Sequence, residues 1–264
     1  MSDQRPVGLF DSGVGGLTIL REVRQQLDNE RCLYLADSRE CPYGTKSVAE
    51  IQQRCETVVD FLLGQDAKII VVACNAASVS ALAHLRSRYA VPFVGIVPAV
   101  KPAAKLTKVG KIGVLTTPTT AESRPLAQLI QQFTHGVTVL TQVCPGLVPL
   151  VEQGITEGAE VEELLGRYLA ALLDTGVDVI VLGCTHYAFL RGSIQRLCGS
   201  GVTLLDPADA VARQLGRVLE NEGLTAAGGA ASTCYFTTGE VAELERVLER
   251  LTGSVDGPII QAQI

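Results

Sequence analysis

Two cysteines in this chain stand in matched settings. Cys74 ends the apolar run KIIVVAC (68–74) and is followed by Asn75 and Ala76, while Cys184 ends VDVIVLGC (177–184) and is followed by Thr185 and His186. Each run has the length of a strand and leads into residues of helical character. A thiol at the start of a helix meets unpaired N–H groups and the positive end of the helix dipole, which lower its pKa from about 8.5. Such a group is a base when ionised and an acid when protonated. Two of them on opposite sides of one carbon can invert it, one removing an α-proton while the other returns a proton to the far face. A cysteine taken alone is most simply a small buried hydrophobe. The duplicated setting is what favours chemistry.

Polar residues surround these thiols in the sequence. His186 is either a proton partner for Cys184 or a satisfied loop or core histidine. Asp11, at the tip of the run 7–10, can assist Cys74 or bind a substrate ammonium group. Ser12, Asn75, Thr117, Thr120 and Thr185 offer neutral hydrogen bonds suited to carboxylates. DSGVGGLT (11–18) has a rival reading, because Gly-rich turns between strand and helix often cradle phosphate. Its spacing is G-x-G-G, no Walker-type Lys follows, and Asp11 would repel a phosphate, so nucleotide binding is disfavoured. The eight cysteines contain no C-x-x-C pair, and no His lies near enough in sequence to complete a zinc set. Neither a metal nor a disulfide framework is expected.

The elements that must position these residues alternate regularly. Strands are expected at 7–10, 32–36, 68–73 and 93–96, then at 111–115, 137–142, 177–183 and 202–205, with helices at 17–27, 48–64, 78–89, 123–132 and 157–174 between them. Continuous apolar strands alternating with amphipathic helices imply an α/β fold with parallel sheets covered on both faces. The two strand series run in the same order about 105–110 residues apart, and the two cysteines share that offset. This predicts two pseudo-symmetric lobes with a site in the cleft between them, beyond the carboxyl ends of the strands. Proline-containing segments place the crossings near 96–102 and 205–209, giving lobes of 1–97 plus 208–264 and of 98–207. The tail should add a helix, a Gly/Ala-rich loop at 226–231, a strand near 235–237 and a last helix.

Composition narrows the function classes. With 47% hydrophobic and 19% charged residues among 264, the chain is globular rather than disordered. A net charge of −6 leaves no footprint for nucleic acid or an anionic membrane. The apolar runs fall far short of the roughly 20 residues of a spanning helix. The N-terminus has no secretory signal pattern, so a cytoplasmic protein acting on a small molecule is expected, of a composition compatible with a homodimer.

Six segments together resemble the glutamate racemase family: GLFDSGVGGLTILREV (8–23), ADSRECPYG (36–44), VVACNAAS (71–78), IGVLTTPTT (112–120), LVPLVEQG (147–154) and VLGCTHY (181–187). The resemblance implies two α/β lobes and interconversion of L- and D-glutamate without pyridoxal phosphate or metal, supplying D-glutamate for peptidoglycan. It implies that Cys74 is the base for the D-enantiomer and Cys184 for the L-enantiomer, assisted by Asp11 and His186 respectively. Glu152 is implied as a further site carboxylate, its alternative being an ordinary exposed helix charge. Ser12, Tyr43, Gly44, Asn75, Thr185 and His186 match substrate-binding positions. Where the family usually has Thr after Cys-Asn, this chain has Ala76, whose backbone N–H remains available to substrate. Three rival readings stay open on the residues themselves: a racemase for aspartate or another small acid, Cys-His acyl transfer or hydrolysis through Cys184 and His186, and a non-catalytic amino-acid binder.

Overall fold

The computed structural model describes residues 2–228 and 231–264, so residues 229 and 230 of the expected Gly/Ala-rich loop lie outside it. The first series comprises β1 (Val7–Asp11), α1 (Leu17–Gln26), β2 (Cys32–Ala36), α2 (Val48–Gly64), β3 (Ile69–Val72), α3 (Asn75–Arg88), β4 (Phe93–Gly95) and α4 (Val100–Leu106). The second comprises β5 (Lys111–Thr116), α5 (Pro118–Ala121), α6 (Arg124–Phe133), β6 (Thr138–Val143), α7 (Leu147–Glu152), α8 (Ala159–Asp174), β7 (Val179–Leu182), α9 (Arg191–Cys198) and β8 (Thr203–Leu205). The tail adds α10 (Ala208–Asn221), β9 (Thr233–Thr237), α11 (Val241–Thr252) and β10 (Ile259–Gln261).

These strands form two wholly parallel sheets among the described residues, ordered β10-β9-β2-β1-β3-β4 and β6-β5-β7-β8. The order β2-β1-β3-β4 repeats as β6-β5-β7-β8. β3 and β7 are therefore equivalent strands, and the residues that follow them are equivalent positions. The tail strands extend the first sheet, so chain from both sides of the second sheet builds the first.

Helices cover both faces of the central strands, so β3 and β7 are buried throughout and read as continuous apolar runs rather than alternating ones. Local signals set several boundaries. α2 opens with a capping box in which Ser47 Oγ accepts from the Glu50 N–H and the Glu50 carboxylate accepts from the Ser47 N–H. α3 begins at Asn75, three residues before the expected start, because the Cys74 carbonyl already accepts the Ser78 N–H at 2.8 Å. The segment expected to be a bare crossing contains α4, and β10 was not foreseen. β10 has only three residues and gains order by pairing with β9, a contact its own sequence does not encode. None of the described helices is long and apolar enough to cross a membrane.

Candidate active site

Cys74 is the N-cap of α3 and is almost fully buried. Its Sγ lies 3.9 Å from Ser12 Oγ, in the turn after β1. The helix start was expected to lower this thiol's pKa, but burial pushes it up instead. The neighbouring Asp11 carboxylate adds to the rise, and the N–H groups of Ala77 and Ser12 offset only part of it. Desolvation outweighs the helix terminus because a thiolate here has lost its water on every side.

Cys184 occupies the equivalent position after β7. It is followed by a 3-10 turn (Thr185–Ala188) rather than directly by a helix, with α9 starting at Arg191. The turn brings His186 back beside it, Nδ1 lying 3.7 Å from Cys184 Sγ. The other ring nitrogen, Nε2, is 2.5 Å from Glu152 Oε1. Burial works against charge on this imidazole, yet bonds to Cys184, Cys41 and Glu152 hold its pKa well above the ordinary value. Cys184 therefore faces a ring whose partners favour its protonated form. Glu152 is no ordinary exposed helix charge, since it also accepts the Val14 N–H at 2.8 Å and so pins the Gly-rich turn to α7.

Asp11 hydrogen-bonds to Ser12 rather than to Cys74. Its Oδ1 accepts from Ser12 Oγ (3.2 Å) and the Gly13 N–H (3.0 Å), and its Oδ2 accepts from Thr185 Oγ1 (2.9 Å). It is fully buried, and burial raises its pKa against the lowering effects of His186, the Gly13 N–H and the Thr185 hydroxyl. Asp11 is thus hydrogen-bonded toward Cys74 through Ser12, while touching the turn that carries Cys184.

A single small cavity collects most of the expected residues: Ser12, Gly44, Cys74, Asn75, Ala76, Thr117, Cys184, Thr185 and His186. Pro42 and Val148 complete its wall, and no sequence signal marked either for this role. Tyr43 and Thr120 stand off it. The Tyr43 hydroxyl donates to Asp37 at 2.5 Å, and Thr120 accepts from Thr117 Oγ1 at 3.3 Å. The cavity holds about 10 Å³, room for roughly one water. Buried Asn75 nevertheless has neither its amide oxygen nor its nitrogen bonded. Buried polar groups are normally satisfied, so this side chain is built for a polar ligand. The lobes meet over the cavity where Gly44 lies against Thr117, so closely that a Cβ on Gly44 would stand 2.6 Å from the Thr117 Cβ.

Gly15 is an equally tight approach, because a Cβ there would come within 2.4 Å of His186 Nδ1 and 2.5 Å of Thr185 Oγ1. Both neighbours are buried and cannot swing into solvent. Gly15→Ala is expected to displace the imidazole from Cys184 and lower kcat about 100-fold, the loss typical of an ångström-scale misplacement. Circular dichroism should show the fold retained. A near-normal kcat would mean that the ring position is not critical.

Residues 15–215 match the family model described as Asp/Glu/Hydantoin racemase. The chain is 47% identical over 254 residues to a glutamate racemase of Pseudomonas paraeruginosa, covering 96% of each protein. It is 48% identical over 249 residues to one from Pseudomonas aeruginosa, covering 94% of each. Among solved structures it superposes on glutamate racemase isoform RacE1 from Bacillus anthracis with a TM-score of 0.89, at 33% identity over 99% of this chain and 98% of that one. Escherichia coli glutamate racemase in complex with L-glutamate and activator UDP-MurNAc-ala gives 0.86, at 32% identity over 97% of both.

Proposed function

The chain belongs to the Asp/Glu/hydantoin racemase family and is a racemase, and from that premise we propose that it interconverts L- and D-glutamate by proton transfer between Cys74 and Cys184, without a cofactor. One observation carries this reading: the two thiols lie two residues beyond equivalent strands of two like sheets and line the same cavity. The substrate assignment is supported by near-full-length relatives that are glutamate racemases, including solved ones in complex with L-glutamate and with D-glutamate.

In the L-to-D direction Cys184 takes the α-proton and Cys74 supplies one to the opposite face. The shifts described above suit this direction, favouring a neutral thiol at Cys74 and a protonated imidazole beside Cys184. In the D-to-L direction the two thiols exchange roles, and Asp11 acts on Cys74 through Ser12. The chemical difficulty is the weak acidity of an amino-acid α-proton. Donors that strengthen as negative charge develops on the α-carboxylate lower that barrier, most of all in a site closed to water. Asn75, Ser12, Thr185 and the backbone N–H of Ala76 are the donors proposed here. Because the cavity is smaller than glutamate, substrate must be admitted by parting the lobes, here taken as 1–97 plus 208–264 and 98–207. The D-glutamate so formed is proposed to serve peptidoglycan synthesis.

Ala76 makes a local prediction. Its buried side chain stands on the cavity wall beside the unbonded Asn75 amide. Ala76→Thr is expected to lower KM by about tenfold or more, since a hydrogen bond to a charged group contributes roughly 1.5–3 kcal/mol. A raised KM would mean that the added methyl group crowds the site.

The decisive experiment is proton NMR of the purified protein in D₂O with each glutamate enantiomer and no added cofactor. Loss of the α-proton signal with appearance of the opposite enantiomer is the expected result. Exchange of aspartate but not glutamate would move the substrate assignment to aspartate, and no exchange with either would move it to another substrate.

A further inference from the structure

We propose that Cys41, His186 and Glu152 form a binding site for a borderline divalent cation, with Zn²⁺ the natural probe, and that its capture halts turnover. The effect on turnover rests on the racemase reading above; the site itself does not. One ligand atom from each of the three residues lies within 4.8 Å of the other two. A thiol, an imidazole and a carboxylate form the mixed donor set that zinc accepts, leaving one coordination position open. Bond lengths of about 2.0–2.3 Å set tetrahedral donors roughly 3.3–3.6 Å apart, so shifts of about an ångström would close the site. His186 Nδ1 faces Cys184, which leaves Nε2 to the metal. Binding would release the Nε2 proton and the Cys41 thiol proton to water.

Access comes from a second, larger pocket. It has a volume of about 320 Å³, and Cys41 and Glu152 are on its wall, with His186 behind them on the cavity side. Glu240 and Glu243 also line it, while no lysine or arginine does. Glu240 and Glu243, with no basic side chain beside them on this wall, attract a metal ion and repel an anionic amino acid. This vestibule therefore suits a cation and not the substrate. A bound metal would break the His186–Glu152 bond, fix the imidazole as a ligand and loosen Glu152 from Val14. Cys184 would lose its charge partner.

The test pairs binding with inhibition. Co²⁺ is titrated into wild type, Cys41→Ala, Cys41→Ser and Cys74→Ala, following thiolate-to-cobalt absorption, and glutamate racemisation is measured in buffered free Zn²⁺. Wild type and Cys74→Ala are expected to give the cobalt band, and both Cys41 variants to lack it. Half-inhibition of each Cys41 variant, relative to its own uninhibited rate, is expected at a Zn²⁺ concentration at least tenfold above wild type. A cobalt band that survives in both Cys41 variants, or that vanishes in Cys74→Ala, would overturn the site. Equal Zn²⁺ sensitivity of wild type and Cys41 variants would overturn the link to turnover. A protein that binds Co²⁺ through Cys41 yet racemises nothing keeps the site and refutes the racemase reading instead.

Discussion

Cys184→Ala is expected to reduce kcat with L-glutamate by about 10³-fold or more, and Cys74→Ala to do the same with D-glutamate. A positioned acid or base contributes typically 10²–10⁴-fold, and neither thiol has a neighbour able to replace it. His186 lies beside Cys184, but both its nitrogens are engaged. The variants also differ in a readable way. In Cys184→Ala the surviving Cys74 can still lift the α-proton of D-glutamate and return it to the same face. Slow exchange of the D-enantiomer in D₂O without formation of L-glutamate is therefore expected, with L-glutamate inert. Cys74→Ala should show the mirror pattern. Cys→Ser at either position should keep binding and lose most of the rate, because a hydroxyl is a poor base at neutral pH. Turnover near the wild-type rate by either Ala variant would refute the two-thiol assignment.

The second large effect is on stability. The Asp37 carboxylate, wholly buried just beyond β2, accepts from Arg54 Nε (2.6 Å) and Nη2 (2.7 Å), from Tyr43 OH (2.5 Å) and from Thr238 Oγ1 (2.8 Å). One side chain thus ties together α2, the Tyr43–Thr45 turn that carries Gly44 over the cavity, and the end of β9. Asp37→Ala leaves a largely buried guanidinium and a buried phenol without their acceptor. Removing one partner of a buried pair costs about 3–5 kcal/mol. At roughly 2–4 °C per kcal/mol for a chain near this size, Tm should fall by about 10 °C. KM should rise too, as the turn loses its anchor. A thermal scan with Tm within a degree or two of wild type would show that the network contributes little.

The sequence by itself determined the periodic framework. Buried parallel strands must be apolar on both faces, so β3 and β7 are visible as unbroken runs, and the shared offset of Cys74 and Cys184 follows from the repeated strand order. Ser12, Asn75 and Thr185 were legible for a related reason: they directly follow or adjoin strand ends, where ligands of such sheets bind. His186 was legible as a neighbour of Cys184, two residues away. Its bond to Glu152, 34 residues distant, was not.

Only the tertiary structure decided which groups face one another and how much water they keep. Asp11, expected beside Cys74, bonds to Ser12, Gly13 and Thr185 instead. Tyr43 turns its hydroxyl to Asp37, away from the cavity its glycine neighbour lines. Cys41 had no visible partner in the sequence, yet the fold sets it beside a histidine and a glutamate from distant segments. The Cys74 pKa moves up rather than down because the helix terminus is a local feature while desolvation is imposed by everything packed around it. Periodicity is written into each segment by the face it must bury. Pairing and burial arise between segments far apart in the chain, and only the assembled lobes fix them.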